Sequence, residues 1–74
     1  MGMAERIKEL RERRSYGQAE LARAAGISPN ALWRIESGMH APRPVTVRKI
    51  AAALGVDVEV LTGKATSNGK AVAE

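Results

Sequence analysis

An all-α fold, a compact bundle of five helices with a helix-turn-helix inside it, is predicted by three observations. Apolar residues recur at helical spacing in successive stretches of the chain. Two of those stretches, within QAELARAAGISPNALWRIES from Gln18 to Ser37, meet at a single glycine, and the second opens on Ser28-Pro29, a helix-starting pair. The chain has 74 residues and no cysteine, so one small domain must hold itself together by helix packing, without disulfides.

The first helix is expected from Ala4 to Arg14, where Ile7, Leu10, Arg11 and Arg14 fall on one face at i, i+3, i+4 and i+7. Met1-Gly2-Met3 is given no role. Ser15-Tyr16-Gly17 ends this helix, with Gly17 offering the chain reversal. The second helix starts at Gln18 and buries Leu21, Ala22 and Ala25. Gly26 stops it, because a sharp helix end needs a positive φ that glycine adopts without a side-chain clash. Ile27 plugs the corner, Ser28 caps the third helix through its hydroxyl, and Pro29 takes the first helical position, where no donor is missed. Leu32 and Ile35 then point inward, leaving Asn30, Trp33, Arg34 and Ser37 on the opposite face.

Gly38 stops the third helix, and Met39 to Arg43 form a loop. Arg43-Pro44 opens a fourth helix, Val45 to Leu54, with Val47, Ile50, Ala51 and Leu54 inside and Arg48 and Lys49 outside. Gly55 closes it. Asp57 is expected to cap a short fifth helix holding Val58, Val60 and Leu61, and some of these apolar residues are surplus to so small a core and available for a dimer surface. The domain therefore runs over 1–62, and 63–74, GKATSNGKAVAE, reads as a disordered tail without periodicity.

Charge narrows the partner. The net charge is +4 and the pI near 10.1, which favours a polyanion. From Arg34 to Lys49 the charged residues are Arg34, Arg43, Arg48 and Lys49 against Glu36 alone. No Ser/His/Asp or Cys/His set and no phosphate-cradling glycine loop is present, so no catalytic residue is assigned and no enzyme or cofactor is expected. A single histidine, His40, cannot build a metal centre. Without a signal sequence or a membrane-spanning stretch, a soluble cytoplasmic, nucleoid-associated protein is expected.

The stretch from Ile7 to Leu61 resembles the Cro/C1-type (XRE-like) helix-turn-helix family of bacterial and phage transcriptional regulators. The resemblance rests on Ala25-Gly26-Ile27-Ser28, on Arg34-Ile35-Glu36-Ser37-Gly38, and on Lys49-Ile50-Ala51 followed by Ala53-Leu54-Gly55-Val56. It implies a lambda-repressor-like bundle that reads the major groove of double-stranded DNA with the helix at 28–37. It also implies a partly buried ion pair between Arg11 and Glu36, the plain alternative being two solvated charges. Two positions depart from the family pattern. Gly17 stands where Ser or Thr is usual at the cap of the second helix, which leaves that helix less well anchored. Arg43 stands where Ser or Thr often precedes the fourth helix, exchanging a cap for a cation beside the DNA backbone.

On this reading the base-reading residues are Pro29, Asn30, Trp33 and Arg34. Asn suits adenine and Arg suits guanine, while an exposed Trp33 would touch sugar or a thymine methyl rather than pack on the fourth helix. The phosphate-binding residues are Gln18, Ser28, Ser37, His40 and Arg43, Gln18 because it sits at a helix N-terminus, where backbone donors face an anion. The expected function is sequence-specific transcriptional regulation, most simply repression, by a homodimer. The alternatives are the DNA-binding antitoxin subunit of a toxin–antitoxin pair and a protein-interaction adaptor that keeps the fold.

Overall fold

In the computed structural model, which describes residues 2–63, the chain forms α1 (Met3–Arg13), α2 (Gln18–Ala25), α3 (Pro29–Glu36), α4 (Pro44–Leu54) and α5 (Val58–Thr62), with no strand among those residues. The core is built from the stripes that helical spacing selects. Ile7, Leu21, Leu32, Ile50, Leu54 and Leu61, one or two from every helix, have no exposed surface. Ala22, Ala25 and Ala51 are buried with them, and these small side chains let α2 and α4 approach closely. α3 lies across α2 and also touches α1, so the outward side of α3 is the side away from all its neighbours.

Three local expectations are corrected. The sequence suggests no role for Met1-Gly2-Met3, but Gly2 is the N-cap of α1, its N–H donating to Glu5 Oε1 at 3.0 Å, and Met3 packs against the core. Gly17 does not reverse the chain. It has an extended φ of −74°, and the left-handed residue at this junction is Ser15, at φ 59°. The Tyr16 N–H reaches back to the Arg11 carbonyl at 3.0 Å, and that long return bond fixes the turn at Ser15. Asp57 does occupy the N-cap of α5, yet its side chain makes no capping bond.

The apolar residues of α5 are only in part taken up by the core. Leu61 is fully buried, while Val58, packed against the core, and Val60 are each half-buried. α4 begins one residue early, with Pro44 in its first turn. Arg14 stands at the C-cap of α1 and lays its guanidinium against the end of α4, where a Cβ on Gly55 would come within 3.0 Å of Nη2. A cation there complements the negative end of that helix. Of the segment expected to be a tail, Gly63 is the left-handed C-cap of α5, and 64–74 lie outside the described residues.

Candidate nucleic-acid interface

α3 is held from within by its core side chains and at its last residue by a carboxylate. Leu32 and Ile35 anchor the inner side, 0% and 3% exposed. Glu36 then accepts three hydrogen bonds from two other parts of the chain. Arg11 forks onto it, Nε to Oε2 at 2.8 Å and Nη2 to Oε1 at 3.1 Å, and the Gln18 side-chain amide donates to Oε1 at 3.0 Å. The remaining Arg11 nitrogen, Nη1, donates to the Tyr16 carbonyl at 2.8 Å. The two charged side chains are 11% and 4% exposed, so this is a largely buried pair with its polar atoms satisfied. By accepting these bonds Glu36 holds the Arg11 guanidinium above its ordinary pKa, against the opposing effect of desolvation. The cluster thus ties the end of α3 to α1 and to the first residue of α2.

The opposite face of α3 is open. Pro29, Asn30, Trp33, Arg34 and Ser37 are all exposed, with Trp33 at 48%. Asn30 and Ser37 lie at the centre of this face, with Trp33 and Arg34 on either flank, as a helix turning about 100° per residue requires. Ser28 starts the helix by accepting the Ala31 N–H at 3.1 Å, which leaves its own hydroxyl proton available. At the other end the Ser37 hydroxyl donates to the Trp33 carbonyl at 2.8 Å, so that proton is already engaged.

The five side chains expected at phosphates therefore divide. Gln18 turns its amide inward to Glu36, Ser28 and Ser37 are bonded within α3, and His40 and Arg43 stand exposed at the α3–α4 connection. The last two border a cleft of about 230 Å³, lined also by Ile27, Ala31 and Thr46. Backbone donors add to this edge. Gly17 is the N-cap of α2 and Arg43 that of α4, and neither residue supplies a side-chain bond to its helix. The first-turn N–H groups of both helices, of which Pro44 supplies none, have no acceptor within their own helix, an arrangement suited to an anion.

Two participants escaped the sequence reading. The Tyr16 carbonyl, held by Arg11, has no signature in residue type, because any residue carries a carbonyl. Glu20 was legible: three residues after the N-cap, its carboxylate accepts the Gly17 N–H at 2.7 Å, half of a capping box. Among the described residues, no group of three or more His, Cys, Asp or Glu side chains is placed to hold a metal ion, and no helix is long and apolar enough to cross a membrane.

Comparison with known proteins gives a consistent picture. Residues 3–62 match the family described as "Helix-turn-helix domain". The immunity repressor protein of Bacillus phage phi105 is 35% identical over 66 residues, covering 89% of this chain and 46% of that protein. The HTH-type transcriptional repressor RghR of Bacillus subtilis (strain 168) is 39% identical over 62 residues, covering 82% of this chain and 46% of that protein. The chain thus spans just under half the length of these relatives. The crystal structure of SinR, the master regulator for biofilm formation, in complex with DNA superposes with a TM-score of 0.77 at 33% identity, covering 80% of this chain and 95% of that one.

Proposed function

The chain belongs to the Cro/C1-type helix-turn-helix family, and from that premise we propose that it is a sequence-specific regulator of transcription, acting as a repressor by occupying a double-stranded DNA site. α3 lies in the major groove, Asn30, Trp33 and Arg34 read base edges beside Pro29, and the N-terminal ends of α2 and α4 with Arg43 and His40 hold phosphates. The observation that carries this reading is the two-sided build of α3. Its inner side is fixed by Leu32, Ile35 and Glu36, while every reading residue on its outer side is exposed. The repressor relatives favour this over an antitoxin or an adaptor.

Gln18 serves this interface through its backbone at the start of α2, since its side chain is engaged with Glu36. The active form is a homodimer in the cytoplasm. One short helix addresses only a few base pairs, and two-fold symmetry would set two such helices about 34 Å apart on a pseudo-palindrome. Sedimentation of the free and DNA-bound protein checks this, and a monomer in both states on an unrepeated site refutes it.

Selection of bound duplexes from a random pool tests the main proposal, followed by a pair of charge-removing substitutions. Arg34→Ala should cost roughly 1 to 3 kcal/mol on the preferred duplex and relax the choice at one base pair. Arg43→Ala should weaken all duplexes alike and lower the salt slope by about one. Equal losses on every sequence would mean that α3 does not read the groove.

A further inference from the structure

An indole 48% exposed on an otherwise polar helix face is well placed to meet a partner that covers it. Trp33 is the only tryptophan of a chain without phenylalanine, and its indole forms no hydrogen bond or ring contact with another described residue. Its own backbone is fixed, since the Ser37 N–H and hydroxyl both bond to the Trp33 carbonyl, at 2.9 and 2.8 Å. Side chains on an α-helix lean toward its N-terminus, so an indole at position 33 covers the preceding turn, the one that carries Pro29 and Asn30. That end of a groove-bound helix is the one closest to base edges.

The chemistry of the major groove then limits what the ring can meet. Base edges there present donors and acceptors, with one apolar exception, the C5-methyl of thymine. Asn30, one turn before Trp33 and exposed on the same face, has the amide that fits the donor–acceptor edge of adenine. In an A·T pair these two features lie side by side. Resting on the reading of α3 as the groove helix, we infer that Asn30 and Trp33 read A·T as a couple. Asn30 takes the adenine edge, and Trp33 takes the C5-methyl of the thymine in the same or the adjoining pair.

Deoxyuridine keeps every hydrogen-bonding group of thymine and lacks only the methyl, so replacing the thymines of the preferred duplex one at a time isolates this contact. At one position the replacement should weaken binding by about fourfold, the worth of one buried methyl. The Trp33→Ala protein, whose folding is checked by its melting curve, should be indifferent to the same replacement. Asn30→Ala should lose its preference for A·T at that pair or the next. If uridine is tolerated at every position while Trp33→Ala weakens all duplexes alike, the ring sits on deoxyribose and the inference is wrong, although a surviving sequence preference would keep α3 in the groove. If the unaltered protein binds selected and scrambled duplexes equally, the groove assignment itself falls.

Discussion

The two turns that flank α2 are built on opposite principles. Between α2 and α3 every residue suits its place: Gly26 takes the left-handed conformation at φ 74°, and Ser28 caps the next helix with its own oxygen. Between α1 and α2 the same two tasks fall to residues ill-suited to them. Ser15 is left-handed at φ 59°, and Gly17 stands at an N-cap with no side chain to give. Side chains outside the turn compensate: Arg11, five residues back, holds the Tyr16 carbonyl, Glu20, three residues on, holds the Gly17 N–H, and Glu36 reaches from α3 to Gln18. One turn is specified by its own residues, the other by side chains outside it, of which Glu36 reaches across the fold. A turn of the second kind should fail whenever its remote partners are removed.

The largest effect is therefore expected at Glu36. Glu36→Ala strands Arg11 with a largely buried charge and should cost roughly 3 kcal/mol in urea melts, while joint replacement of Arg11 and Glu36 by packed apolar residues should recover much of it. Amide exchange sharpens the comparison: protection at Tyr16 to Leu21 should drop more than at Gly26 to Ala31. A uniform loss would mean that the two turns are not held differently. Next is Gly26→Ala, where nothing lies within 4 Å of the added Cβ and backbone strain alone should cost about 1 to 2 kcal/mol. The mirror experiment, Ser15→Gly, should stabilise by roughly 0.5 kcal/mol, because relief of the left-handed strain exceeds the entropy that glycine adds to the unfolded chain. Thermal melts that show Ser15→Gly to be destabilising would break the assignment of strain to that residue. The smallest effect belongs to Gly17→Ser. Its Cβ would meet only the flexible Glu20 Oε1 at 3.4 Å, so a restored cap should add a few tenths of a kcal/mol, or about 2 °C in melting temperature.

The same division explains what could be read in advance. The five helices, the Gly26 stop, the Ser28 cap and the inward stripes of α2, α3 and α4 all follow from rules that act within a few residues. The left-handed residue before α2 did not follow, because glycine at 17 is the local optimum and the bond from Tyr16 N–H to the Arg11 carbonyl places the turn two residues earlier. Gln18 was expected to face a phosphate by virtue of its place at a helix start. Its bond to Glu36 joins residues eighteen apart and depends on how α2 and α3 cross, which helical periodicity does not encode. Exposure of the outer α3 face was legible, since it is the complement of the buried stripe. The exhausted proton of Ser37 was not, since residue type does not reveal which acceptor a hydroxyl has taken.

The anchoring of α3 by Glu36 carries an evolutionary consequence. The carboxylate and the two core side chains fix the position of the helix without using Asn30, Trp33 or Arg34, none of whose side chains makes a hydrogen bond within the described residues. Those three positions can therefore mutate almost independently of foldability. If these side chains read DNA as proposed, a lineage built this way drifts to new operators by surface substitution alone, and duplicated copies diverge in target while sharing one scaffold.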